Sequence, residues 1–428
     1  MKCGFGIMRI NTIVMLSFLA ILRGNTSIAE VLPDWPEFRG PTGQGIAVDA
    51  DPPLTWSQTE NVTWKQTIPG KGWSSPIIYQ GSVYLTTALE DKSHHPTSLR
   101  ALRIDATTGK ILWDKEVLPW SGKSPKQTKN SHASGTPIAA DGRIYCHFSH
   151  MGTACVDVDG TIIWAKQDLP YSPLHGTGSS PILYQDKLIY NCDAQKDPFV
   201  VARNKHTGEV VWKTPRHTKA RNKFSFSTPL LIEENGKPVV VSVGSGVVGA
   251  YNPNDGTEIW RVDIGEAFSI PMRPVFGHGM IYISSGFDSP GTVFAIRVGG
   301  KGDVTKSHIV WTREKDNPET PSMLLSGPDL YYMTDKATAY CVDAVTGDER
   351  WKVVLKEGVK VSASPVLANG RIYQTLENGC TVVFKPGIQF EKLAENNLGE
   401  YTLASPAVSG RALFIRTESH LYRIEELQ

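Results

Sequence analysis

The sequence predicts an all-β protein: an eight-bladed β-propeller of four-stranded antiparallel blades, its ring closed by an N-terminal strand. Three observations predict it. A nine-residue phrase recurs, as D-A-T-T-G-K-I-L-W ending at Trp113, N-K-H-T-G-E-V-V-W ending at Trp212 and D-A-V-T-G-D-E-R-W ending at Trp351, with looser copies ending at Trp164 and Trp260. A Ser/Thr-Pro start followed by an apolar pair returns at Pro76, Pro137, Pro181, Pro229, Pro321, Pro365 and Pro406, with a weaker version around Pro271 and Pro274. From Trp64 through Trp113, Trp164, Trp212, Trp260 and Trp311 to Trp351, the tryptophans stand 49, 51, 48, 48, 51 and 40 residues apart. Such a period matches a four-stranded propeller blade.

The N-terminus reads as an export signal over residues 1–29. Lys2 and Arg9 precede an apolar run from Ile10 to Leu22, and Ser27-Ile28-Ala29 offers small residues for cleavage before Glu30. The run is shorter than the ~20 residues that span a bilayer. Residues 30–60 form an N-terminal extension, and the propeller occupies residues 61–428. Within it each start leads to a turn and a β-rich run, such as V-Y-L-T at Tyr84 or I-Y-I-S at Tyr282, then a third strand and the Trp strand. The last start, Pro406, is followed by residues for about three strands, while Asn61–Gln66 stands alone before the first start. Pairing the two closes the ring and removes an open sheet edge.

The phrase assigns structural roles. Gly109, Gly160, Gly208, Gly256 and Gly347 each lie four residues before a Trp, in a turn that asks for positive φ. The Trp indoles are expected to pack between neighbouring blades, with burial contributing about 1.5–3 kcal/mol each. Composition excludes some functions. The formal charge is +1; without Lys2, Arg9 and Arg23 it is −2, and no basic block remains, so nucleic acid is not an expected partner. Beyond the signal no segment is apolar enough to span a membrane, and a monomer is expected. Five cysteines follow Cys3, with no C-x-x-C. Cys146 and Cys155 flank a turn symmetrically and are expected either to bond across a hairpin or to remain buried thiols.

Candidate site residues are few. In a propeller, the loop leading into each blade and the loop between its second and third strands share one face. That face gathers His94, His132, His150, His175 and Asp193 over blades 1 to 3, a set of ligand types suited to a divalent metal. Solvated loop positions are the competing reading, and the loop Leu118–Ser131 is expected to be a surface insertion. Trp73, Phe226 and Arg273, at or just before strand starts, are candidates to line the central funnel and bind a cofactor there; core packing is their competing role.

The D-A-x-T-G-x-x-x-W phrase with its x-S-P start resembles the repeat of pyrroloquinoline-quinone (PQQ) propellers, over roughly Asn61 to Gln428. The segment W-P-E-F-R-G-P-T-G-Q-G, Trp35 to Gly45, resembles the opening of exported PQQ-repeat proteins common in planctomycetes. The resemblance implies two branches. Quinoprotein alcohol dehydrogenases hold PQQ and Ca²⁺ on the propeller axis, whereas assembly subunits of the BamB type bind no quinone and act by protein contacts. The vicinal Cys-Cys of the dehydrogenases is absent here, and no catalytic constellation is evident. The expectation is therefore a periplasmic or secreted binding or scaffold protein, without a cofactor, whose partners are other exported or envelope proteins. The alternative is a PQQ- and Ca²⁺-dependent alcohol dehydrogenase with its site in the axial funnel.

Overall fold

The computed structural model describes residues 1–4, 32–267, 269–287 and 291–426. The chain divides into two compact units, Met1–Val31 and Leu32–Gln428. Of the first, Met1 to Gly4 are described, exposed and without regular structure; the rest of the expected signal segment lies outside the described residues. Among the described residues no helix is long and apolar enough to cross a membrane.

The second unit is an eight-bladed β-propeller. In blade 1 the strands Ile77–Tyr79, Ser82–Glu90, Pro96–Asp105 and Ile111–Pro119 pair antiparallel in chain order. The same meander repeats from the inner strands Ile138–Ala140, Ile182–Tyr184, Leu230–Glu234, Val275–Gly277, Leu324–Ser326, Val366–Ala368 and Ala407–Ser409. Its inner strands are short, that of blade 1 fully buried, and its outer strands alternate half-buried and exposed positions, as in Val62–Thr67. That alternation is what one solvated edge demands. Blade 8 takes its outer strand from the start of the propeller: Val62–Thr67 pairs antiparallel with His420–Ile424, Trp64 opposite Arg423. The ring is closed as the orphan strand predicts.

Two starts differ from the sequence reading. Blade 6 begins at Leu324, so Ser322-Met323 takes the place of the Ser/Thr-Pro pair, and Pro321 lies one residue before it. In blade 5 the equivalent pair is Arg273-Pro274, with Pro271 outside the strand.

Trp and Gly of the recurrent phrase meet across blades. A Cβ built on Gly109 would stand 2.7 Å from the Trp64 ring of the preceding outer strand, and one on Gly208 would stand 2.7 Å from Trp164. Gly347 faces Trp311 at 2.8 Å, and all three glycines have positive φ, from 74° to 78°. Each indole also donates its Nε1 hydrogen to a carbonyl of the next blade's turn: Trp64 to Ala106, Trp113 to Val158, Trp164 to Lys205, Trp212 to Pro253 and Trp311 to Ala344. Trp351 does the same to Gly387. Trp260 instead donates to the Glu234 carboxylate of its own blade. One side chain thus supplies apolar area and a directed bond at each seam.

The hairpin carrying Cys146 and Cys155 does not let them bond. Tyr145 is opposite Cys155 and Cys146 is opposite Ala154, so the two thiols sit one register step apart on opposite faces of the sheet. Cys146 packs towards blade 1 and Cys155 towards blade 3, both buried and free.

Before the first blade, Trp35 to Ala47 crosses the far end of the propeller axis. Trp35 exchanges both backbone bonds with Ile78 of blade 1, the Pro36 carbonyl accepts from Ala139 of blade 2, and the Gln44 side chain accepts from Phe276 of blade 5. The Gly45 carbonyl accepts from Leu367, and Ile46–Ala47 runs parallel to the inner strand of blade 7. Trp35 is 2 % exposed and fills the space a Cβ on Gly40 would need. This segment is a plug.

Candidate functional site

The plug turns the axial channel into a cup of about 480 Å³, open to solvent at the other end. Its wall is two tiers set by the strand starts. In an extended segment, residues two apart point the same way. The lower tier is the Ser or Thr of each start: Ser75, Thr136, Ser180, Thr228, Ser322, Ser364 and Ser405, with Arg273 in the fifth place. The upper tier is the residue two positions earlier, in blade order Trp73, Ser134, Gly178, Phe226, Pro271, Thr320, Ser362 and Leu403. Gly178 makes room for its neighbour, because a Cβ there would approach the Phe226 Cβ to 2.7 Å.

The lower tier is a hydrogen-bonded ring. The backbone N–H of Ser75 donates to Thr136 Oγ1 at 3.0 Å, Thr136 to Ser180 Oγ at 2.9 Å and Ser180 to Thr228 Oγ1 at 3.0 Å. On the other side Arg273 donates to Ser322 Oγ, Ser322 to Ser364 Oγ and Ser364 to Ser405 Oγ, each at 2.9 Å. Six of the eight seams are therefore held through a side-chain oxygen, satisfying backbone donors that no strand pairing reaches. The Arg273 side chain turns away into the plug: its Nη1 donates to the Phe38 carbonyl at 2.6 Å, its Nε to the Pro229 carbonyl at 3.0 Å, and Glu37 lies 3.4 Å from Nη2. Burial pushes the Glu37 carboxyl up, with Arg273 opposing it. Phe38 itself faces the cup.

At the mouth, Gln127 to Asn130 reach over from the loop between blades 1 and 2 and form part of the wall. That stretch is a piece of the site, which its composition did not reveal. Lys129 pairs with Glu377 of blade 7 at 2.6 Å, and Glu377 also accepts from Ser362 and Tyr401. Trp73 meets Tyr401 edge-on at 5.7 Å. His175 stands edge-on to Phe224 at 4.9 Å, and burial lowers its pKa.

The structure places the candidates as follows. Trp73, Phe226 and His175 line the cup, and Arg273 is 2 % exposed beneath it. His132, fully buried, binds Glu90 Oε1 through Nδ1 at 2.8 Å and the Ser124 carbonyl through Nε2 at 2.9 Å, so both ring nitrogens are committed. His94 stands exposed, 3.6 Å from the same Glu90. His150 contacts Ser124 Oγ at 3.3 Å between Trp120 and Tyr171, and burial lowers its pKa to about 4. Asp193 is buried against Arg216 at 2.7 Å in blade 3, where burial raises its pKa to about 6. The five metal candidates do not converge. Among the described residues no group of three or more His, Cys, Asp or Glu side chains is placed to hold a metal.

The cup can be tested against the calcium-bound quinone that the repeat implies. Calcium takes six to eight oxygens, with carboxylates prominent among them. No Asp or Glu side chain is among the described residues lining the cup, and Glu377 stands behind Ser362 with its oxygens engaged. These residues do not fit a calcium–quinone group.

Comparison with known proteins agrees with the architecture. The family model for the outer membrane protein assembly factor BamB matches residues 97–245 and 244–385. A 158-residue stretch is 28 % identical to methanol dehydrogenase [cytochrome c] subunit 1 of Methylobacterium organophilum, covering 31 % of this chain and 23 % of that protein. BamB from Moraxella catarrhalis superposes with a TM-score of 0.58 at 12 % identity, over 85 % of this chain and 99 % of that one. Quinohemoprotein alcohol dehydrogenase ADHIIG from Pseudomonas putida superposes with a TM-score of 0.58 at 10 % identity, over 92 % and 81 %. At these identities the superpositions speak for the fold alone. The repeat, the ring of blades and the family match together make this chain a member of the PQQ-repeat β-propeller family described as outer membrane protein assembly factor BamB.

Proposed function

We propose that the protein is an exported binding or scaffold module of the cell envelope, and that the mouth of the axial cup is the face through which it takes its ligand. The observation that carries this is the cup itself. It is closed below by the chain's own plug, open above, and walled by aromatic and hydroxyl side chains without a described carboxylate. Concave, largely apolar sites of a few hundred Å³ with a few convergent polar groups are the usual form of ligand sites. General acid–base or metal chemistry would need a titratable group at the reacting centre. In the wall His175 contacts the Gln127 side chain through Nδ1 and packs on Phe224, Lys129 pairs with Glu377, and Glu377 is also tied to Ser362 and Tyr401. The name of the family supports an envelope setting, as does the apolar segment at Ile10 to Leu22.

A photoreactive residue placed at Leu403, on the mouth, and in a second variant at Val345, on an outer turn, tests the reading. After irradiation in cells that make the protein, adducts read by intact mass are expected at Leu403 and absent at Val345. Adducts at Val345 with none at Leu403 would move the functional face to the outer rim.

A further inference from the structure

We propose that the axial cup selects an organic anion, a carboxylate on an apolar or aromatic body, seating the carboxylate on the ring of hydroxyl donors. The proposal rests on the reading of the cup as the ligand site and names what it takes.

Thr136, Ser180, Thr228, Ser322, Ser364 and Ser405 each accept a backbone N–H on oxygen. All are at least nine-tenths buried, and no described acceptor takes their hydrogens. A hydroxyl that already accepts is a stronger donor. Six such O–H groups around one axis present hydrogens without competing acceptors, which suits an oxygen-rich anion.

Positive charge lies beneath the ring. Arg39 is 2 % exposed and donates from Nη2 to the carbonyls of Met323, at 2.7 Å, and Gln44, at 2.6 Å. Its Nε and Nη1 have no partner, and no carboxylate lies against it. Met323 follows Ser322 of the ring, so this guanidinium sits at the level of the floor. Arg273 is beside it, with Glu37 as its carboxylate. Two guanidiniums face one carboxylate there, and an unneutralised buried charge favours a counter-ion close by. Burial first, and then repulsion from Arg273, lowers the Arg39 pKa to about 9, which leaves it charged at neutral pH.

Other charges near the cup do not cancel this. Arg416, buried between blades 8 and 1, donates to Ser74 and to the Thr86 carbonyl and has no carboxylate partner. Asp335 accepts twice from Thr320, and Glu377 is held by Lys129, Ser362 and Tyr401. Above the ring, Trp73, Phe226 and Leu403 supply the apolar wall for the body of the ligand.

The test is calorimetric titration of the purified protein with three probes of one shape: phenylpropionate, phenylpropanol and phenylpropylamine. The carboxylate is expected to bind at least about ten-fold tighter than the alcohol, the gap between a charge-assisted and a neutral hydrogen bond, with no heat from the amine. A Thr228→Val, Ser364→Ala double variant, checked for an unchanged far-ultraviolet spectrum, should lose that preference, the carboxylate's affinity falling to the alcohol's. Should the variant fail to fold, the wild-type charge series decides alone. Equal affinity for all three probes overturns the anion assignment and leaves the cup as a ligand site. No binding of any probe overturns both. Acetyl-Ala-Phe with a free carboxylate, set against its amide, separates the sources. Tighter binding than phenylpropionate, lost in the amide, assigns a protein C-terminus; weaker binding assigns a free small acid.

Discussion

Gly208 shows why the recurrent phrase cannot drift at this position. Its φ of +75° is a conformation that costs an L-residue about 1–2 kcal/mol, and the Trp164 ring stands 2.7 Å from where a Cβ would be. Gly236 has the same kind of φ, +72°, but open space around it. The pair separates the two causes. Gly236→Ala should lower stability by about 1–2 kcal/mol, the backbone cost alone. Gly208→Ala should lower it by about 2–4 kcal/mol, because the indole must also shift. Denaturant midpoints at equal slopes measure both, and equal losses at the two positions would remove the Trp164 contact from the account.

At the scale of elements, the plug and the strand starts together make the site. The starts are regular because six of the seven Ser or Thr hydroxyls receive the neighbouring blade's N–H, and the residue two positions earlier then faces the same axis. The plug is irregular, and its hold depends on Trp35, which is buried and bonded twice to Ile78. Replacing a buried Trp by Ala costs about 3–5 kcal/mol where the site cannot collapse. Here the loss should be local. In Trp35→Ala, hydrogen exchange is expected to rise at residues 35–47 and at the Ile77–Tyr79 strand, while the outer strand Ile111–Pro119 stays protected. Unchanged exchange over 35–47 would mean that other contacts hold the plug.

For the whole molecule, closure joins the two ends of the propeller: Val62–Thr67 completes blade 8, and its Trp64 then packs on Gly109 and bonds Ala106 of blade 1. The architecture was legible because each of these features repeats; a Gly four residues before a Trp reports the same seam each time. The upper tier of the cup was legible in principle, since Trp73 and Phe226 stand two residues before Ser75 and Thr228, but the offset has to be applied to all eight starts before Ser134, Thr320 or Leu403 emerges. The Arg in place of Ser or Thr before Pro274 was a second readable sign, pointing to a floor that needs a long cation. The plug was not readable, because Arg39 and Met323 meet across 284 residues with no periodicity to connect them. Nor does spacing tell that Cys146 and Cys155 fall one register step apart, or that Asp193 is taken by Arg216.

As a binding module the propeller is expected to hold no calcium–quinone group on its axis. Calorimetric titration of PQQ into the purified protein, with and without Ca²⁺, tests it most directly. Calcium is expected to add no heat and no affinity, whatever weak binding the quinone's carboxylates give. Stoichiometric binding that appears only with calcium would contradict it and move the protein to the dehydrogenase branch of its family.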